Sequence, residues 1–164
     1  MKIICAIIAL LFFSNCSRET YSYEGKEYKV YTELRNDNHD IQALDLSGRP
    51  EQISRRLYEL ENLVYLNLSE MGLDSVPPEI CELKSLKALL LNKNESVKIP
   101  SCLFGMTNLE VISILGCRYK HIPEKFGDMS NLKMFVIMAN DFTEDELRYF
   151  KERMPNTRIV SYLD

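Results

Sequence analysis

The sequence predicts an α/β fold in which short parallel strands coil one beside the next. Three observations predict it: an internal period, an alternation within each period, and a second set of apolar anchors between the strands. Leu63, Leu86, Leu109 and Leu132 stand 23 residues apart, and Pro77, Pro100 and Pro123 keep the same interval. A period of this length marks a repeat architecture, in which each unit buries its apolar face only against its neighbours. In register the units open LVYLNLSEM, LKALLLNKN, LEVISILGC and LKMFVIMAN, and IQALDLSGR precedes them from Ile41. All five carry an aliphatic or aromatic residue at positions one, four and six. Positions four and six share one face of a strand because side chains alternate along it.

The second half of each unit supplies its own inward anchors. These are Val76, Ile80 and Leu83, then Ile99, Leu103 and Met106, then Ile122, Phe126 and Met129. The units match the pattern L-x-x-L-x-L-x-x-N-x-L-x-x-[LIV]-P, and over residues 41–156 the chain resembles the leucine-rich repeat family. That resemblance implies a leucine-rich repeat solenoid: a short arc with five parallel strands on its concave side and helices or turns on its convex side. It also implies that the residue at position nine hydrogen-bonds backbone groups in the turn after each strand. Asn94 and Asn140 fill that slot, Cys117 is a common replacement there, and Arg49 and Met71 depart from it toward the N-terminal end.

Both ends of such a core must be closed against water. At the C-terminal end, Thr143-Glu144-Asp145-Glu146 reads as a capping box that opens a helix. Leu147, Phe150 and Met154 lie on one side of that helix, Pro155 stops it, and residues 157–164 read as a final edge strand. The first unit is 22 residues long and lacks the proline signature, as terminal repeats often do. Residues 30–40, KVYTELRNDNHD with its flank, are expected to fold over the first strand as the N-terminal cap.

The first residues belong to no repeat. Met1-Lys2 precedes an unbroken apolar run from Ile3 to Phe13, too short to span a bilayer but suited to the h-region of a signal peptide. Phe13-Ser14-Asn15-Cys16 resembles a bacterial lipobox, with Phe13 and Asn15 departing from its usual residues. The resemblance implies cleavage after residues 1–15, lipid attachment at Cys16, and a bacterial cell-envelope location, membrane-anchored by lipid. A plain secretory signal with an incidental cysteine would instead leave the protein secreted or periplasmic. Residues 16–29, polar and dotted with tyrosine, read as the lipidated cysteine and a short tether.

Little in the chain suggests catalysis. A net charge of −4 excludes the broad basic surface that nucleic-acid binding needs. No phosphate-cradling glycine loop, nucleophile elbow or zinc-helix motif occurs, so the expectation is no enzyme and no cofactor. His39 and His121 are the two histidines, and His121, before Ile122-Pro123, reads as a solvated or locally bonded turn residue. Cys81, Cys102 and Cys117 fit no metal spacing. Cys81 and Cys102 fall on successive convex turns, where free thiols are expected over a bond, and Cys117 reads as a buried thiol. The acidic cluster at 35–40 lacks the ligand spacing of a calcium loop. The sequons at Asn67 and Asn94 are discounted, because a bacterial envelope protein would not use them.

What remains is the concave face, at positions three, five and seven. Successive strands place there Ala43, Asp45 and Ser47, then Tyr65, Asn67 and Ser69, then Ala88, Leu90 and Asn92, then Val111, Ser113 and Leu115, and finally Met134, Val136 and Met138. Polarity falls toward the C-terminus, and the six apolar residues from Leu90 to Met138 span roughly 200 Å² at sheet spacing. A wall of that size approaches a patch that calls for a partner. The expected function is a membrane-anchored module that binds a protein or peptide through Tyr65, Asn67, Leu90, Asn92, Val111, Ser113, Leu115, Met134, Val136 and Met138. The alternative is a self-associating structural component of the envelope. An ordinary scatter of surface apolar residues, or cover by the chain's own tether, would leave this wall without a partner.

Overall fold

A computed structural model describes residues 20–34 and 40–162. The signal segment 1–15, Cys16, His39 and most of the acidic cluster lie outside the described residues. One eight-stranded sheet runs in chain order: β1 (Thr20–Tyr23), β2 (Lys26–Tyr31), β3 (Ala43–Asp45), β4 (Tyr65–Asn67), β5 (Ala88–Leu90), β6 (Val111–Ser113), β7 (Met134–Val136) and β8 (Arg158–Val160). From β2 to β8 every pairing is parallel, and equivalent repeat positions face each other, as Leu44 faces Leu66, Leu66 faces Leu89, and Ile112 faces Phe135. The fold is the α/β leucine-rich repeat solenoid.

Repeat register decides what is buried. Positions one, four and six of all five units are buried together in a single core. The convex side returns the chain mainly by 3₁₀ turns, Pro78–Glu82, Ser101–Gly105 and Glu124–Asp128, each following the proline of its unit. The degenerate first unit instead uses a short turn at Pro50–Gln52 and the four-residue helix α1 (Arg55–Tyr58). Of the convex anchors, Ile99 and Met106 are half-buried while the other seven are buried.

After each strand the chain turns sharply, and two devices hold the turn. Position eight takes a left-handed backbone in every unit, at Gly48, Glu70, Lys93, Gly116 and Ala139. Position nine then fills the gap. Asn94 accepts from the backbone N–H of Met71 (3.0 Å) and Leu73 (3.1 Å) and donates to the carbonyls of Leu68 (2.8 Å) and Leu91 (3.0 Å). Asn140 repeats this toward Tyr119, Ile114 and Ile137. Cys117 keeps part of this, its thiol facing the Leu91 carbonyl at 3.2 Å and the Leu115 carbonyl at 3.8 Å. Burial pushes that thiol up to about 11. At the N-terminal end the ladder weakens without breaking, since the Met71 sulfur accepts the Arg49 N–H at 3.3 Å.

The convex side also departs from expectation at the cysteines. Cys81 and Cys102 are joined in a disulfide, with Cα atoms 6.1 Å apart, where free thiols were expected. The reason is the repeat itself: a separation of 21 residues, close to one period, brings the two onto adjacent turns. At the C-terminal end α2 (Glu144–Arg153) carries the capping box, Thr143 accepting from the Glu146 N–H while Glu146 accepts from the Thr143 N–H. Leu147, Phe150 and Met154 close the end of the core. No helix among the described residues is long and apolar enough to cross a membrane.

The largest departure lies at the other end. Residues 16–29, expected to be a tether, contain β1 and the first part of β2, paired antiparallel with Tyr21 opposite Tyr28. The connecting pair Glu24-Gly25 has φ of 49° and 80°. Left-handed backbone at both central residues is what the favoured two-residue hairpin turn requires. β2 then joins β3 through Val30 and Tyr31, so the hairpin extends the sheet past its first repeat.

Candidate concave-face site

The hairpin lies over the concave side of the solenoid. Because side chains alternate, Tyr21, Tyr23, Tyr28 and Val30 all project from one hairpin face, and all are buried. They form one apolar cluster with Ala43, Tyr65, Ala88, Leu90, Val111, Met134 and Val136. Tyr21 packs on Tyr65 with ring centroids 4.3 Å apart. The wall expected to stand open is therefore covered by the chain itself: Leu90, Val111 and Val136 each keep 1% of their surface.

The tip of the hairpin is held by charge. Lys87, Glu110 and Lys133 occupy position two of three successive units and so form a column along the edge of β5, β6 and β7. The Tyr23 hydroxyl donates to the Glu110 carboxylate. Its ring lies beneath two ammonium groups, Lys87 at 5.2 Å and Lys133 at 5.9 Å. Glu24, the next residue, pairs with Lys133 at 2.8 Å and faces Lys87 at 3.9 Å. Burial works against the charge of Glu110, but Lys133, Tyr23 and Lys87 outweigh it and hold its carboxyl below the usual carboxylate range. Burial, together with the neighbouring Glu110 carboxylate, pushes the Tyr23 phenol well above its ordinary value.

The polar concave residues serve the fold. Asp45 accepts from the Ser47 N–H and Asn67 from the Ser69 N–H. Asn92 accepts from the Ser113 hydroxyl and from the Leu115 N–H, and its own N–H donates to the Ser69 hydroxyl. Asn67, Asn92 and Ser113 are buried, so this seam fixes the strand ends rather than offering groups to solvent. Leu115 and Met138, at position seven of adjacent units, are half-buried, and Tyr162, the next in that row, is 73% exposed. The accessible part of the concave side is this margin.

Other candidates stay apart. His121 is exposed, with its Nδ1 3.1 Å from the Glu146 carboxylate. Among the described residues no group of three or more His, Cys, Asp or Glu could hold a metal ion. Sequence reasoning missed Tyr21, Tyr23, Glu24, Lys87, Glu110 and Lys133. The signals were present: Tyr21 and Tyr23 alternate before Glu24-Gly25 as Tyr28 and Val30 do after it, and a lysine–glutamate–lysine row recurs at one repeat position.

No family model matches the sequence. The TMV resistance protein N of Nicotiana glutinosa is 26% identical over 135 residues, which are 80% of this chain but 11% of that protein. A solved leucine-rich repeat protein of Leptospira interrogans superposes with a TM-score of 0.59 at 18% identity, over 74% of this chain and 31% of that one. Internalin C2 of Listeria monocytogenes gives 0.55 at 23% identity, over 74% of this chain and 51% of that one. The chain thus spans about a tenth of that curated relative and 31% and 51% of these two solved structures. These likenesses place the chain in the leucine-rich repeat fold.

Proposed function

We propose that the protein is an exported, membrane-anchored leucine-rich repeat module that binds a protein or peptide partner on its concave side and catalyses no reaction. The observation that carries the binding reading is the apolar margin Leu115, Met138 and Tyr162, one repeat position left accessible on successive strands. Aromatic and methionine side chains are common anchors in such interfaces. Export is supported by the Cys81–Cys102 disulfide, since such bonds persist in oxidising compartments. Lipid attachment at Cys16 would place the anchor four residues before Thr20, the first residue of β1. Four residues reach at most about 14 Å, so the hairpin would hold the domain against the bilayer surface.

The test uses the full chain. Leu115→Asp with Met138→Ser is expected to abolish capture of partners from membrane extracts while the cooperative unfolding transition persists; unchanged capture by the folded variant overturns the assignment. A second reading, self-association, is favoured by β8, which ends the sheet with no strand paired beyond it among the described residues. A domain that stays monomeric at high concentration removes that reading.

A further inference from the structure

The hairpin resembles a bound ligand more than a wall of the core. The main core contains none of Tyr21, Tyr23, Tyr28 or Val30, which pack in a separate cluster on the opposite face of the sheet. If the hairpin left, the leucine core would keep all of its buried members and lose only the cover of Tyr31, which packs against it from the end of β2. Its link to the solenoid sheet is two register pairs, Val30 with Ala43 and Tyr31 with Leu44. A two-stranded hairpin by itself has little stability in water.

Its seating is also imperfect. The Tyr21 hydroxyl is buried without a hydrogen-bond partner. A buried donor left unpaired keeps its full desolvation penalty, with no bond to offset it. The outer pair of the clamp is made of side chains that solvent reaches, Glu24 at 49% and Lys133 at 57% exposure, while Tyr23 and Glu110 lie beneath it. Exposed ion pairs of this kind contribute little and are screened by salt.

The contacts define what else would fit. Two come from alternate residues of an extended strand, an aromatic ring on Tyr65 and a second ring between Lys87 and Lys133 with its hydroxyl on Glu110, and the third from the turn residue that follows, a carboxylate on Lys133. We propose that this groove is a site for an extended segment of a partner protein with two aromatic residues at alternate positions followed by a carboxylate. Tyr21-Ser22-Tyr23-Glu24 is its built-in occupant, and the partner enters when the hairpin swings away. This rests on the reading of the concave side as a peptide-binding face, and it adds the chemistry of the peptide and the device that guards it.

The probe is a labelled peptide, acetyl-Thr-Tyr-Ser-Tyr-Glu-Gly-amide, titrated against the full chain by fluorescence anisotropy. A tethered occupant competes at an effective concentration of about millimolar, so the wild type binds the probe weakly. Tyr23→Ser with Glu24→Gln removes both tip anchors and is expected to tighten binding at least about tenfold. Adding Lys133→Glu to that variant should cancel the gain, and a probe carrying Lys in place of its Glu should recover it. A folded variant that binds no better than wild type, or a gain indifferent to Lys133→Glu, overturns the proposal. Hydrogen exchange on the wild type tests it without any variant. Amides of β1 and β2 should exchange by local opening, well ahead of those in β5 and β6, and exchange only through global unfolding would make the hairpin a permanent cap. Persistence of capture that depends on Leu115 and Met138 would then leave the binding module standing while the groove proposal falls.

Discussion

On the inward face of the sheet, Leu66, Leu89, Ile112 and Phe135 stack through adjacent strands, and every unit closes its neighbour. On the concave face, Tyr65, Leu90, Val111 and Met134 are buried nearly as completely, but what covers them is a two-stranded hairpin from outside the repeats. The first burial repeats aliphatic and aromatic side chains at one position, and the stack Leu66, Leu89, Ile112 and Phe135 has no polar side-chain atom to satisfy. The second mixes tyrosines, lysines and a glutamate, and leaves the Tyr21 phenol without a partner. Equal exposure therefore does not mean equal commitment. One face is the reason the domain folds, and the other is closed by a tyrosine cluster whose charged tip water and salt can reach.

Phe135→Ala should break the comparison at its strong side. Phe135 is fully buried, with the Phe126 ring 4.5 Å away, and its truncation opens a cavity between two units. The expected loss is about 3–5 kcal/mol, read from chemical denaturation of the full chain. A loss confined to the hairpin's own exchange rates, with global stability intact, would mean that the two faces are not distinct.

Tyr21→Phe tests the weak side and has the opposite sign. The substitution keeps the ring on Tyr65 and deletes the hydroxyl that has no partner. Removing an unpaired buried polar group should stabilise the closed hairpin by about 1 kcal/mol. Protection of the β1 and β2 amides should rise while that of β5 stays unchanged. A fall in protection would show that the hydroxyl is satisfied after all.

The same contrast explains how much was legible in the sequence. The repeat announced itself because Leu63, Leu86, Leu109 and Leu132 recur on a strict interval, and one interval sets strand, face and register together. Thr143 and Glu146 stood out as a cap because their bonds lie within a single turn. Tyr21 and Tyr23 were harder: their alternation spans only a few residues, tyrosine counts as polar or apolar by context, and their partner strands lie far along the chain. Glu110 meets Tyr23 across 87 residues, a pairing that no local pattern reports. The disulfide was misjudged for a related reason, since spacing showed adjacency but not whether two thiols on neighbouring turns face each other. The concave residues were assigned to the right face, and only the thing facing them was missing.

The smallest expected effect is the most specific to the clamp. Glu110 titrates below the usual carboxylate range in the folded chain, because Lys133, Tyr23 and Lys87 outweigh the cost of burial. A carboxyl with a lowered folded value stabilises the fold fully above its unfolded value, and the benefit is lost as pH falls through the folded one. Acidification from neutral pH should therefore loosen the hairpin before the leucine core, whose contacts do not titrate. Each clamp pair is partly exposed, so the loss should amount to about 0.2–1 kcal/mol and should shrink in high salt. Near-ultraviolet circular dichroism follows the tyrosine cluster, and far-ultraviolet the solenoid. In wild type the first signal should fall at a higher pH than the second. Glu110→Gln should flatten that early step, because the group that titrates is gone while Lys87 and Lys133 remain. If the early step survives in Glu110→Gln, another carboxylate governs the tip, and Glu24, which also pairs with Lys133, is the one to replace next.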